Sequence, residues 1–327
     1  MKAIICKTLG LPEKLEYDNF GLGELGEGQV HIKVNACSVN FPDTLIIQGK
    51  YQFKPELPFI PGSDIAGEVL RIGEKVKHFK PGDRVFGFTM TGGYAEEAYV
   101  DAKTIFPTPD GMDDVIASSF LLAYGTSYHA LKDRAQLQSE EVLLVLGASG
   151  GVGLAAVQLG KAMGAQVIAA TSSKTKNELC LKYGADHVIN YSQEDLRGRI
   201  KEITGGKGID VVYDPVGGDY SEAALRSLAW NGRHLVVGFA TGEIPKIPLN
   251  LPLLKSCQVV GVFWGSFAQK FPGENMKNSI ELMQMLDKGL INPHIHKVYP
   301  LENAAAALEE MMGRQVMGKV VVSAVHG

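Results

Sequence analysis

A short run of small residues near the middle of the chain has the composition of a phosphate-binding turn. The apolar segment Val142–Leu146 leads into Gly147–Gly153, and a segment with helical periodicity follows. Small residues allow a tight turn from strand to helix and a close approach of the backbone to a pyrophosphate, whose charge the helix N-terminus attracts. The pattern predicts a dinucleotide-binding turn. The residues that we expect to contact the cofactor here are Ser149, Gly150, Gly151, Val152 and Gly153.

The residues after the next apolar segment indicate which dinucleotide would bind. A site for NADH needs a carboxylate about 20 residues after the glycines, which accepts a hydrogen bond from the ribose 2′-hydroxyl. The segment Gln166–Ala170 instead runs into Thr171–Lys176, which contains no Asp or Glu. A 2′-phosphate would not be repelled there, and Ser172 and Lys176 could bind it. We predict NADPH as the cofactor, although Ser172 or Ser173 could at the same time cap the following helix.

The composition is ordinary for a soluble globular protein. Of the 327 residues 45% are hydrophobic and 21% charged, with a net charge of −4, and acidic and basic residues are mixed along the chain. No basic block indicates nucleic acid, no apolar run is long enough to span a bilayer, and no export signal is visible. The four cysteines are scattered, as is typical of reduced thiols. We expect a cytoplasmic protein whose partners are small molecules rather than nucleic acid or membrane.

The first third of the chain has the pattern of a β-rich domain. Short β-like runs are separated by turns rich in Gly and Pro, which favours a compact, barrel-like arrangement. The runs are Val30–Val34, Ile65–Ile72, Arg84–Phe88 and Tyr94–Val100.

From Glu141 onward, apolar runs alternate with segments of helical length, which predicts a parallel sheet covered by helices on both faces. The runs are Val142–Leu146, Gln166–Ala170, Val188–Ile189, Val211–Tyr213, His234–Val237 and Gln258–Phe263. The last sixty or so residues could extend this sheet or return to the first domain. Their predicted elements are a helix over Asn275–Lys288, a strand over Ile295–Tyr299, a helix over Leu301–Met312 and a strand over Lys319–Val322.

Motifs spread along the chain carry a family resemblance. Besides Gly147–Lys161 they are Val39–Asp43, Pro61–Gly67, Pro81–Val85, Gly93–Glu96, Gly184–Tyr191 and Gly318–Val321. With these motifs in family order, the chain resembles the zinc-free quinone oxidoreductase (zeta-crystallin-like) branch of the medium-chain dehydrogenase/reductase family. The resemblance implies an α/β fold with a GroES-like β-rich catalytic domain and a Rossmann domain with a doubly wound parallel sheet. We place the first domain at 1–122, completed by 267–327, and the Rossmann domain at 123–266, with the active site in the cleft between them.

The resemblance also bears on zinc. Zinc-dependent relatives have a Cys where this chain has Asn40, a His-Glu pair where it has Ser63–Asp64, and a third ligand, a Cys, near Leu122. A zinc site needs four N, S or O ligands, or three with one open position. We therefore expect no metal, and hydride transfer without a Lewis acid.

On the substrate side, Asn40, Asp43 and Tyr51 match positions that line the cleft beside the nicotinamide. Asn40 and Tyr51 could donate hydrogen bonds to a carbonyl oxygen, whereas Asp43 would orient a neighbour. Asn and Asp are also common in turns at strand ends, so a structural role stays open. Relatives often have Tyr where this chain has Leu45, which makes the expected pocket more apolar.

On the cofactor side, Thr126 matches a position that faces the nicotinamide. Lys176 and Tyr191 match positions that hold the 2′-phosphate, and Arg314 could complete that pocket. Further residues follow strands of the predicted sheet, where ligands of such folds bind, namely Gly238, Phe239 and Phe263. Phe263, with Trp264, could equally serve packing or dimer contacts.

The leading hypothesis is an NADPH-dependent oxidoreductase that transfers hydride to a quinone-type acceptor. The alternative is NADPH-dependent reduction of an α,β-unsaturated carbonyl, either an enal or enone or an enoyl thioester. From another class comes a catalytically idle NADPH-binding protein with a structural or regulatory role. We also predict a homodimer, because Gln258–Phe263 is apolar and falls last in the sheet, where an open edge invites pairing. The alternative is that the C-terminal helix covers this edge.

Overall fold

The computed structural model describes residues 1–324, which form two compact units. The first unit contains Met1–Leu122 and residues 293–324, and the second contains Ala123–Asn292. The sequence placed the second boundary at residue 266, which the structure corrects to residue 292. The reason is the helix over Pro272–Asp287, whose Asn278 donates to Asp133 and whose Glu281 accepts from Tyr128, at 2.8 Å each.

The elements are numbered in chain order. The strands are β1 (Lys2–Ile5), β2 (Glu16–Asn19), β3 (Gln29–Val39), β4 (Asp64–Ile72), β5 (Arg84–Phe88), β6 (Glu97–Asp101), β7 (Ile105–Pro107), β8 (Val142–Leu146), β9 (Gln166–Thr171), β10 (His187–Asn190), β11 (Ile209–Asp214), β12 (Leu228–Val236), β13 (Gln258–Gly261), β14 (Ile295–Pro300) and β15 (Lys319–Ser323). The α-helices are α1 (Phe41–Ile46), α2 (Asp114–Ser118), α3 (Leu121–Tyr128), α4 (Gly151–Ala162), α5 (Lys174–Lys182), α6 (Leu196–Ile203), α7 (Asp219–Arg226), α8 (Asn250–Lys255), α9 (Trp264–Lys270), α10 (Pro272–Asp287) and α11 (Ala304–Met312). A π-helical turn, His129–Arg134, continues α3, and 3-10 turns cover Pro12–Lys14 and Leu301–Asn303.

The first unit is built on a mostly antiparallel sheet. Its strand order is β14-β15-β3-β4-β5-β7, with β6 also paired to β3, while β1 and β2 form a separate ribbon. The long strand β3 is buried at eight of its eleven positions, and it pairs with β15, β4 and β6. Strand β15 pairs with β3, and the end of the chain therefore completes this unit, as the resemblance implies.

The second unit is built on a six-stranded parallel sheet in the order β10-β9-β8-β11-β12-β13. Strand β8 lies between β9 and β11, and four of its five residues are buried, as expected of a central strand covered on both faces. The chain order reverses direction on either side of β8, which is the switch point where such folds bind ligands. The predicted fold class, a β-rich unit with a doubly wound unit, is confirmed.

The last strand of this sheet is shorter than the sequence indicates. Strand β13 ends at Gly261, and Phe263 is the residue before α9 rather than part of the strand.

Over residues 1–324, no helix is both long and apolar enough to cross a membrane.

Candidate functional site

The turn after β8 has the geometry of a phosphate cradle. Gly147 adopts a left-handed backbone with φ 57°, and Gly150 is the extended N-cap of α4. A Cβ atom on Gly153 would lie 2.3 Å from the carbonyl oxygen of Gly147, so only glycine fits there. No side chain caps α4 within the described chain, and its first N–H groups are available to an anion. The five residues predicted for this turn lie together, and a pyrophosphate fits their chemistry.

A neighbouring helix is tied to this cradle by a residue that the sequence did not single out. Ser127 of α3 is buried, donates to the carbonyl oxygen of Val152 at 2.8 Å, and shares a hydrogen bond of 2.9 Å with the hydroxyl of Tyr213. Thr126 precedes Ser127 and is partly exposed. The structure thus places Thr126 beside the start of α4. No sequence signal distinguishes Ser127, because its partners lie far away in the chain.

Three of the four residues predicted to hold a 2′-phosphate, Ser172, Lys176 and Tyr191, follow the carboxyl ends of the adjacent strands β9 and β10. The Nζ atom of Lys176 donates to Oγ of Ser172 at 3.3 Å, and burial lowers the pKa of this lysine. The main-chain N–H of Tyr191 donates to the carbonyl oxygen of Thr171 at 3.0 Å, and the ring of Tyr191 packs against that of Tyr220. Ser173, rather than Ser172, caps α5. The side chain of Ser172 therefore does not serve as the helix cap.

Arg314 belongs to the other unit. It is exposed, follows α11 and has a left-handed backbone with φ 58°. The structure does not bring it together with Lys176 within one unit, and its role in a phosphate pocket stays a prediction.

A buried aspartate organises the turns after β11 and β12. Asp214 accepts hydrogen bonds from the N–H groups of Val216 and Gly217, from the hydroxyl of Ser221 and from Nε2 of His234. Burial alone would raise its pKa, but the hydrogen bond from His234 and the further donors hold the pKa below its usual range.

This network also positions two of the predicted cofactor residues. The carbonyl oxygen of Asp214 accepts from the N–H of Gly238 at 3.3 Å. The ring of Phe239 lies so close to Gly217 that a Cβ atom there would be 3.0 Å from it. His234 is itself buried, and its Nε2 lies 3.1 Å from Oδ2 of Asp214.

The turn after β13 separates two aromatic residues. Phe263 is half exposed at the start of α9, whereas Trp264 is buried and donates from Nε1 to Asn275 at 3.0 Å. The indole of Trp264 packs against Gly125 of α3, where a Cβ atom would lie 2.9 Å from the ring. Trp264 is thus a packing residue, which was one of the two interpretations from the sequence.

In the first unit, Asn40 and Asp43 form the beginning of α1. The main-chain N–H of Asn40 donates to Oδ2 of Asp43 at 2.8 Å, and the N–H of Asp43 donates to the carbonyl oxygen of Asn40 at 3.0 Å. The carboxylate of Asp43 also accepts from the hydroxyl of Tyr94 at 2.9 Å and from Ser63 at 3.5 Å. Asp43 therefore holds the main chain of Asn40 and the hydroxyls of Tyr94 and Ser63. Burial raises its pKa to about 6.

The amide of Asn40 is buried and fully engaged. Its Oδ1 accepts from Nζ of Lys319, and its Nδ2 donates to Oδ2 of Asp64 and to the carbonyl oxygen of Ser38, both at 3.3 Å. In this arrangement buried groups of the first unit occupy both ends of the amide. Donation from Asn40 to an acceptor stays a prediction.

Tyr51 is the third predicted catalytic residue. It is partly exposed, and its ring packs against the core of the first unit. Burial raises the pKa of its hydroxyl, and the nearby carboxylate of Asp43 raises it further. Of the three predicted residues, Tyr51 is the one that combines a protonated hydroxyl with access to solvent.

Comparisons with known proteins agree with this arrangement. The family model of the alcohol dehydrogenase GroES-like domain matches residues 26–110, and that of zinc-binding dehydrogenases matches residues 151–284. The quinone oxidoreductase-like protein 2 homolog of Nematostella vectensis is 38% identical over 98% of this chain and 88% of its own length. The quinone oxidoreductase of Rattus norvegicus is 36% identical over 98% of this chain and 97% of its own length.

A solved structure shows the same likeness in three dimensions. The crystal structure of Escherichia coli quinone oxidoreductase complexed with NADPH has a TM-score of 0.93 and 33% identity, and the match covers 99% of this chain and 100% of that one. The resemblance predicted from the sequence is confirmed. The chain belongs to the quinone oxidoreductase branch of the medium-chain dehydrogenase/reductase family of oxidoreductases.

Proposed function

We propose that this protein is an NADPH-dependent reductase that transfers hydride to a quinone-type acceptor without zinc. The observation that carries the cofactor assignment is the pairing of an uncapped, glycine-lined helix start with Lys176 and Ser172 at the end of β9. The first would bind the pyrophosphate and the second the 2′-phosphate. The Escherichia coli relative, which was crystallised with NADPH, supports the same cofactor.

Each group of predicted residues would contribute one part of cofactor binding. Ser149 and the glycine turn would hold the pyrophosphate, while Ser172, Lys176 and Tyr191, with Arg314, would hold the 2′-phosphate. Thr126, Gly238, Phe239 and Phe263 would position the nicotinamide. The bound nicotinamide would supply a hydride beside these residues, and a side chain would supply the accompanying proton.

Tyr51 is the residue that we propose as the proton donor. Reduction of a conjugated carbonyl adds one hydride to the acceptor and places negative charge on its oxygen, which then takes a proton. The hydroxyl of Tyr51 stays protonated well above neutral pH, since burial and the Asp43 carboxylate raise its pKa. It could therefore donate a hydrogen bond to that oxygen and then its proton, with solvent restoring the hydroxyl. Asn40 and Asp43 would act indirectly, by fixing the turn that precedes it.

The proposal of zinc-independence rests on the donor set. At the positions that carry zinc ligands in zinc-dependent relatives, this chain has Asn40, Ser63 and Asp64. The side chain of Asn40 bonds to Asp64 and Lys319, and that of Ser63 bonds to Asp43. Within residues 1–324, no group of three or more His, Cys, Asp or Glu side chains is arranged to hold a metal. Treatment with a strong chelator should leave NADPH oxidation unchanged. Loss of activity together with stoichiometric zinc would contradict the proposal.

The identity of the acceptor separates the leading hypothesis from its rivals. A half-buried Leu45 beside Asp43 makes this part of the chain apolar, which suits a flat quinone but also a conjugated enal, enone or enoyl thioester. NADPH oxidation should be measured against a panel of all these acceptors. Preference for quinones supports the proposal, and preference for enones or thioesters supports the alternative. Tight NADPH binding without turnover of any acceptor would indicate the idle, regulatory protein.

We further propose a homodimer formed through the edge of the parallel sheet. Strand β13 is paired on one side only, to β12, and Val259 on it is 49% exposed. The preceding helix α8 adds exposed apolar side chains at Leu253 and Leu254. An edge strand with apolar neighbours can pair with its own copy about a two-fold axis.

We also propose a cytoplasmic location, with which the four free cysteines agree.

A further inference from the structure

The first residue of β15 is a lysine that is almost completely shielded from solvent. Lys319 is 4% exposed, and burial lowers the pKa of its ammonium, while the carboxylates of Asp64 and Asp43 act in the opposite direction. A buried ammonium is costly unless charged and hydrogen-bonding partners surround it. The partners of Lys319 therefore define what this residue does.

Lys319 fixes the amide of Asn40. Pairing of Val320 with Val39 brings the side chain of Lys319 across the end of β3, where Nζ donates to Oδ1 of Asn40 and reaches the carbonyl oxygen of Val39 at 3.5 Å. An ammonium has donors and no acceptor, so only the oxygen of the amide can face it. The nitrogen of Asn40 must then turn toward Asp64, to which it donates at 3.3 Å.

Asn40 connects this lysine to the start of α1. Its main-chain N–H and carbonyl oxygen are the two groups that bond Asp43 across the first turn. The carboxylate of Asp43 is in turn held by Tyr94. Helix α1 leads from Asp43 toward Tyr51, and the N–H of Lys50, directly before Tyr51, donates to the carbonyl oxygen of Leu45 at 2.9 Å. A displacement of Asn40 as a whole, which loss of its side-chain partner would permit, would disturb the hydrogen bonds at both ends of this turn.

The charges of the cluster depend on the same lysine. The ammonium of Lys319 acts on two buried carboxylates, Asp43 and Asp64, and lowers the pKa of each against the effect of burial. Oδ1 of Asp64 is buried and has no hydrogen-bond partner among the described residues. Without the ammonium, two desolvated carboxylates would remain close to each other with no compensating charge, an arrangement that strongly disfavours their ionised forms.

We propose that Lys319 is a positioning residue of the reductase site, whose buried ammonium fixes the amide of Asn40 and the start of α1 and thereby the place of Tyr51. The role rests on the proposed function, because Tyr51 is the group that would contact the acceptor. Lys319 itself is too deeply buried to touch the acceptor or the cofactor. Its effect on turnover is transmitted through Asn40 and Asp43.

The first test compares Lys319→Met with a matched control, Lys33→Met, which makes the same substitution at an exposed position of β3. Lys319→Met should lower kcat, per folded enzyme, on the order of ten- to hundredfold, because small displacements of a reacting group are costly. The NADPH dissociation constant should stay unchanged, since the predicted phosphate cradle lies in the second unit. Lys33→Met should keep wild-type kcat, KM and melting temperature.

The second test separates positioning from stability and covers the case in which Lys319→Met does not fold. In Lys319→Met/Asp64→Asn, one buried negative charge is removed together with the cation. We expect the melting temperature to recover relative to the single variant, while kcat stays about tenfold or more below that of Asp64→Asn alone.

Three outcomes are distinct. Recovery of kcat in parallel with the melting temperature would overturn the positioning role, as would wild-type kcat in folded Lys319→Met. If the wild-type protein does not oxidise NADPH in the presence of any tested acceptor, the proposed function is overturned, and the role of Lys319 falls with it.

Discussion

The Nζ atom of Lys176 lies 3.3 Å from Oγ of Ser172, at the carboxyl end of the strand next to the glycine turn. Burial already lowers the pKa of this ammonium, so an anion that replaced water beside it would stabilise its charged form. The pair thus presents one cation and one hydroxyl at the place where an NADH-specific site would have a carboxylate. The choice between the two cofactors depends on this short segment.

Lys176→Glu should weaken NADPH binding selectively. One charge-assisted contact to the 2′-phosphate is lost and a repulsive charge is added, so the NADPH dissociation constant should rise about ten- to hundredfold while that of NADH changes little. Fluorescence titration with both cofactors measures this. Lys174→Glu on the same helix is the control, because Lys174 is highly exposed and pairs only loosely with Glu178 at 3.9 Å. Equal weakening of both cofactors would contradict the assignment.

Tyr51→Phe should lower kcat without weakening NADPH binding. The substitution keeps the ring that packs against the core and removes only the hydroxyl that we propose as proton donor. General acid catalysis of this kind commonly contributes about a hundredfold or more, so a loss of that order is expected in steady-state assays with a quinone. Tyr17→Phe, at an exposed position of β2, provides the control. Unchanged kcat in Tyr51→Phe would remove this residue from the mechanism.

The free energy of unfolding of Asp64→Asn, relative to that of wild type, should increase as the pH rises. Burial raises the pKa of Asp64 to about 6 in the folded protein, against about 3.9 in an unfolded chain. An acid with a raised folded pKa contributes stability while it is protonated, and this contribution is lost as the pH rises through about 6. The variant resembles the protonated form, so its stability relative to wild type should improve between pH 5 and pH 8 by on the order of 1 kcal/mol.

Urea unfolding of wild type and Asp64→Asn at both pH values measures this difference. Asp18→Asn, at an exposed position of β2, should show no comparable trend. A stability difference between Asp64→Asn and wild type that does not depend on pH would mean that Asp64 ionises normally in the folded protein.

Val259→Lys should separate the proposed dimer into monomers. Val259 is exposed on the edge strand, whereas its neighbour Val260 is 8% exposed and part of the core, so the charge is introduced without disturbing packing. Light scattering at micromolar concentration gives the mass of each protein. Lys80→Glu, far along the chain in the first unit, serves as the control for a surface charge change. A monomeric wild type would contradict the dimer, and a dimer that tolerates Val259→Lys would place the interface elsewhere.

Regular patterns made the fold predictable, and contacts between distant residues limited prediction of the site. The alternation of apolar runs and helices located β8, β9, β14 and β15 to within about a residue, since each is bounded by turn signals. The boundary at residue 292 was missed because α10 attaches to the second unit through polar contacts of Asn278 and Glu281, which leave no local pattern.

The same limit applies within the site. The glycine turn and the Ser172–Lys176 pair are local in sequence, so the residue types and spacing indicated them directly. The partners of Asn40 are not local, because Lys319 is 279 residues away along the chain and meets it only through the pairing of β15 with β3. Asp214 and His234 are similarly joined by adjacent parallel strands. Such clusters follow from topology, which residue types alone do not specify.

The most direct test of the central claim is a comparison of NADPH and NADH in steady-state turnover of a substituted 1,4-benzoquinone by the purified wild-type protein. We expect quinone-dependent oxidation of NADPH with a kcat/KM at least about tenfold above that for NADH, since one charged phosphate contact distinguishes the two cofactors. Equal or faster turnover with NADH, or no quinone-dependent oxidation of either cofactor, would contradict it.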